Sequence, residues 1–107
     1  MLQGGRGSGE GTWDGFVEQV QGAPGHLPVA RRREVFEQTR SGRSEESVLG
    51  RFCTLIAERS SRVTPGEIAA LECSGLSADE IFEAVVVAAV GAAQRRMDAA
   101  LAAIEGC

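Results

Sequence analysis

The sequence is poor in most of what an active site or a charged binding surface draws on. Aromatic residues make up only 5% of the 107, so small and aliphatic side chains must build the core. There is one histidine, His26, and there are three cysteines, Cys53, Cys73 and Cys107. No two of these cysteines form a Cys-x-x-Cys pair. The chain begins Met1-Leu2-Gln3-Gly4-Gly5, without the charged region and apolar core of a signal peptide. An odd number of cysteines in that context reads as free thiols and not as a disulfide framework. One histidine and three scattered cysteines have no metal-ligand spacing, so neither metal nor cofactor is expected. A net charge of −4 gives no support for nucleic-acid binding, which usually shows a basic excess. The uncharged run at 84–93 is half the roughly 20 residues needed to span a bilayer. The expectation is a cytoplasmic protein engaged with neither membrane nor nucleic acid.

What is present is an ordinary globular balance, 43% hydrophobic and 24% charged, and strong helix punctuation. Residues 1–11 are glycine-rich and read as a flexible tail. Gly4 to Gly9 has the gap of a phosphate loop, but Glu10-Gly11 stands where that loop needs Lys and Ser or Thr. Residues 12–107 read as a single all-α domain of about five helices. The first runs over 12–21, capped by Thr12, with Trp13, Phe16, Val17 and Val20 on one face. The second starts at Pro28 and ends near Arg40. Its apolar face is thin, since Val29 and Phe36 align while Val35 points elsewhere. The third spans 44–59, capped by Ser44, with Val48, Leu49, Phe52, Leu55 and Ile56 on a broad face and Cys53 at its flank.

Two capping boxes follow, Thr64-Pro65-Gly66-Glu67 and Ser77-Ala78-Asp79-Glu80. The first opens a short helix that Gly75 ends. The second opens a long helix to about Ile104. The stretch 84–93 of that helix is apolar on every side, the mark of a buried helix, and the rest of the chain is expected to pack antiparallel around it.

From Val63 onward the chain resembles the C-terminal part of the AhpD-like, or carboxymuconolactone decarboxylase-like, superfamily. The likeness rests on Thr64 with Glu67, Leu71, Gly75-Leu76-Ser77, Glu80-Ile81 and a small-residue helix reaching Arg95-Arg96. It implies an all-helical, homo-oligomeric fold. Members with redox activity use a Cys-x-x-Cys pair with a nearby Glu and His, and that pair has no counterpart here. Arg31-Arg32-Arg33-Glu34-Val35-Phe36-Glu37 stands in the corresponding region.

Three side chains are weak catalytic candidates. Cys53 is a buried small side chain or, with Arg51 nearby, a reactive thiol. His26, in a Pro-Gly turn, is a surface residue or a general base. Glu83 is the only charge between Ile81 and Gln94. The arginines at 31–33 fan around a helix and read as partners of Glu34 and Glu37. The expected function is a non-catalytic, degenerate AhpD-like scaffold or binding protein. It would be a homo-oligomer, dimer to hexamer, through the 77–104 helix, holding a protein partner or a small apolar ligand. The alternative is a thiol-dependent peroxidase or redox enzyme acting through Cys53.

Overall fold

The computed structural model describes residues 10–43, 47–59 and 62–106. Among them are five helices and no strand: α1 Glu10–Gly22, α2 Val29–Ser41, α3 Val48–Arg59, α4 Pro65–Cys73 and α5 Ala78–Glu105. The all-α expectation is met, and the local signals explain most boundaries. Both capping boxes are formed. Thr64 Oγ1 accepts from the Glu67 amide while the Glu67 carboxylate accepts from the Thr64 amide. Ser77 and Glu80 do the same at the start of α5. Gly42 ends α2 at φ 77°, a left-handed conformation that a Cβ disfavours.

Other boundaries differ. α1 begins at Glu10, inside the segment read as a tail, so Thr12 stands within the helix and not at its cap. The expected caps Ser44, Glu45 and Glu46 lie outside the described residues. At the start of α3 it is Ser47 whose hydroxyl accepts from the Gly50 amide at 2.9 Å.

α5 is the axis of the molecule. Its 28 residues reach roughly 42 Å at 1.5 Å per residue, and the molecule is accordingly elongated, 48 × 37 × 22 Å. The helix is buried only from Ile81 to Ala92. Even there the burial is one-sided, since Phe82 and Ala89 are exposed and Val85 and Val86 half-buried, and beyond it Met97, Leu101 and Ile104 are exposed, so burial on every side is not met.

The packing around α5 is not uniformly antiparallel. Leu27 meets Glu83, Phe36 and Thr39 meet Gly91, and Arg40 meets Asp98. α2 therefore runs parallel to α5. α1 runs antiparallel to it, with the Trp13 indole donating to Gln94 Oε1 at 2.7 Å.

α2, whose apolar face reads as thin, makes the most extensive contact with α5. Phe36 is buried as expected, but Val35 is buried and Val29 exposed, so the inward face is shifted from the expected one. The reason is polar burial. Arg32, Gln38 and Thr39 face inward too, and each has its donors satisfied as burial requires. Gln38 Nε2 donates to Gly50 O at 2.8 Å and to Thr54 Oγ1 at 3.0 Å, which pins α2 to α3. Thr39 Oγ1 donates back to Val35 O.

Candidate functional site

The most heavily connected polar cluster is at the turn between α1 and α2. Glu83 projects from the second turn of α5 and receives three backbone bonds. The His26 amide donates to its two carboxylate oxygens at 3.0 and 2.8 Å, and the Leu27 amide donates at 2.8 Å. Successive amides ahead of a helix N-terminus form an anion-binding concavity, and here the anion is a side chain of the same protein. The turn must approach closely. A Cβ on Gly25 would lie 2.8 Å from Glu83 Oε1.

Arg32 holds the other side of the turn. It is 4% exposed and donates to three carbonyls, Leu27 O from Nε, Val20 O from Nη1 and Ala23 O from Nη2. Its guanidinium therefore satisfies the C-terminal carbonyls of α1, where a cation complements the helix dipole. Glu83 and Arg32 together fix α1, the turn and α2 against α5.

Burial pushes the Glu83 carboxyl up, but the amides of His26 and Leu27, aided by the charges of His26 and Arg32, outweigh it and hold the group below the ordinary 4.5. Asp98 is held down as well, by Gln94 and then by Arg40. A depressed folded-state carboxyl stabilises the fold fully above its unfolded value and loses that contribution as pH falls through the folded value. Thermal melts between pH 7 and pH 3 are therefore expected to show stability falling below about pH 4.5. Glu83→Gln is expected to melt lower than wild type at pH 7 and to flatten that acid limb. Parallel melting-temperature curves for the two proteins would remove Glu83 from this role.

The three sequence candidates are not assembled into one site. His26 meets Glu83 only through its backbone. Its imidazole is exposed, 3.6 Å from the exposed Asp79 carboxylate. Cys53 is 0% exposed, in the core with Leu49, Phe52 and Val87, so it lies at the centre of the packing and not at the flank of a face. Cys73 is exposed at the end of α4. Arg31 pairs with Glu34 as expected, at 2.7 Å, but Arg33 reaches Glu18 on α1, and Arg32 is not a surface residue at all. Its role was readable in principle. Positions 32, 35, 36 and 39 follow the i, i+3, i+4, i+7 spacing of a buried face. Among the described residues no group of three or more His, Cys, Asp or Glu is placed to hold a metal, and no helix is long and apolar enough to cross a membrane.

The surface carries open grooves. One of about 370 Å³ lies between α3 and α4, lined by Val48, Arg51, Phe52, Leu55, Glu67 and Ala70. Another of about 270 Å³ lies between α3 and α5 and includes Ile56, Val85, Ala89 and Arg96. Comparison with known proteins returned no matching family, no similar curated protein and no similar solved structure.

Proposed function

We propose that the protein is a non-catalytic helical scaffold or binding protein, a degenerate relative of the AhpD-like proteins that acts in the cytoplasm as a homo-oligomer through α5. The observation that carries this reading is the use to which its chemical groups are put. Glu83 is saturated by backbone donors, Arg32 by backbone carbonyls, and Cys53 is sealed in the core. A carboxylate with three amide donors is a poor proton acceptor, and a thiol without solvent access is a poor nucleophile. The open apolar groove between α3 and α4 supports a small apolar ligand or a partner segment as its cargo.

The competing reading, a peroxidase acting through Cys53, separates from this one by thiol accessibility. Native wild type and Cys53→Ala are expected to present the same number of thiols to an aromatic disulfide reagent. Wild type should show one more only after denaturation. Fast labelling of Cys53 in the native protein, with peroxide reduction lost in Cys53→Ser, would establish the redox reading instead.

A further inference from the structure

Small residues, Gly42, Ala57 and Ala92, leave a recess where the end of α2, the last turns of α3 and the middle of α5 meet. Four charged groups surround it: Arg43 just after α2, Glu58 on α3, and Arg95 and Arg96 on α5. Ala92 precedes Arg95 and Arg96 by three and four positions, so one face of α5 supplies both a wall and two cations. Water-sized atoms have about 20 Å³ to occupy there, little more than the ~10–15 Å³ that one water needs. The recess therefore suits one small polar group and excludes an apolar ring or a nucleotide.

The arginines are spread around the recess and not spent on carboxylates. The Arg95 guanidinium lies over Gly42, where a Cβ would come within 2.8 Å of Nε. Arg96 lies toward α3 and donates from Nη2 to Ala57 O at 3.0 Å. Arg43 donates from Nε to Ser41 Oγ at 2.9 Å. None of the ion pairs among the described residues joins Glu58 to any of the three. Opposite charges that share one recess without closing on each other suit a bridging group, one that offers acceptors to the guanidinia and a proton to the carboxylate. The balance favours an anion. Three guanidinia and one carboxylate leave two positive charges, and the carbonyl ends of α2 and α3 offset about half a charge each.

We propose that this recess binds inorganic phosphate in a form that still carries a proton. Arg43, Arg95 and Arg96 donate to its oxygens, the charge-assisted contact to which a guanidinium is best suited. Glu58 accepts the remaining proton. An ionised carboxylate can only accept, so it repels an oxyanion that has no proton to give. Phosphate keeps a proton at neutral pH, whereas sulfate and carboxylates keep none, so the recess selects phosphate from the common small anions. The site is separate from the α3–α4 groove and needs no second copy, so it goes beyond the scaffold reading.

The test is calorimetric titration of the full chain with inorganic phosphate and with sulfate, at pH 7 and constant ionic strength. Wild type is expected to bind phosphate with 1:1 stoichiometry and sulfate at least about tenfold more weakly. Arg95→Gln, with unchanged helical circular dichroism, is expected to weaken phosphate by about tenfold. Arg31→Gln, on a residue outside the recess, is expected to change nothing. Glu58→Gln is expected to bind sulfate as well as phosphate, because an amide can donate where the carboxylate could not. Equal affinity for the two anions in wild type would overturn the part given to Glu58. The absence of saturable phosphate binding would overturn the site and leave the scaffold reading untouched. Glu45 and Glu46 follow Arg43 closely in the chain. Phosphate binding that appears only in Glu45→Gln, Glu46→Gln would overturn the proposal and assign the arginines to the chain's own carboxylates.

Discussion

Gly91→Ala is expected to destabilise the protein by about 2 kcal/mol, although alanine favours a helix over glycine by about 1 kcal/mol. Gly91 sits where α5 and α2 cross. A Cβ there would run into the Thr39 hydroxyl and lie 2.9 Å from the Phe36 carbonyl oxygen. The carbonyl is backbone and the hydroxyl is anchored on Val35 O, so neither yields without moving a helix, and overpacking of this kind costs about 1–3 kcal/mol. The matching control is Gly15→Ala in α1, where an added Cβ meets nothing within 4 Å. That change is expected to stabilise by about 0.5–1 kcal/mol. The same chemical substitution thus has opposite signs at two positions. At roughly 4–8 °C per kcal/mol for a domain near this size, thermal melts resolve both. Thr39→Ala in the Gly91→Ala background is expected to recover part of the loss, a non-additivity diagnostic of direct contact. Equal effects at positions 15 and 91 would show that the crossing has slack.

Arg32→Ala is expected to cost more, about 3–5 kcal/mol, the range for breaking a buried charged network. The substitution leaves Leu27 O, Val20 O and Ala23 O without their donor and removes a buried cation whose charge favours the Glu83 carboxylate. Arg32→Lys is expected to recover only part, because an ammonium cannot span three carbonyls as a planar guanidinium does. The loss should be concentrated at α1, whose C-terminal end Arg32 caps. Trp13, the sole tryptophan, sits on α1 and bonds Gln94, so its emission should shift to the red at denaturant concentrations where helical ellipticity is still largely intact. A variant with wild-type stability and emission would show that water replaces the guanidinium without penalty.

These two sites show where the sequence could be read and where it misled. Caps were legible because they are local. Thr64 with Glu67 and Ser77 with Glu80 need only three residues of chain, and both boxes form. Glu83 stood out as a lone charge in an apolar run, and it is a structural hub. Its partners could not be read, because they are backbone amides 56 and 57 positions away. Arg32 was hidden by its neighbours, since a run of three arginines suggests solvent, and only the register with Val35, Phe36 and Thr39 distinguishes the middle one. Cys53 was misplaced because the face of α3 was centred on its large side chains. The buried side of α3 instead includes Gly50 and Cys53, where small residues let α2 and α5 come close.

The position of α5 in the chain has a consequence for how the protein is made. The helices that pack on α5 leave the ribosome before it does, and at about 5–20 residues per second its 28 residues take roughly 1.5–6 s more to synthesise. During that time the inward faces of α1, α2 and α3 have no partner, and the Trp13–Gln94 bond spans 81 positions. The tertiary core therefore closes only once α5 has been made, and a nascent chain stalled before α5 is a natural target for chaperone binding.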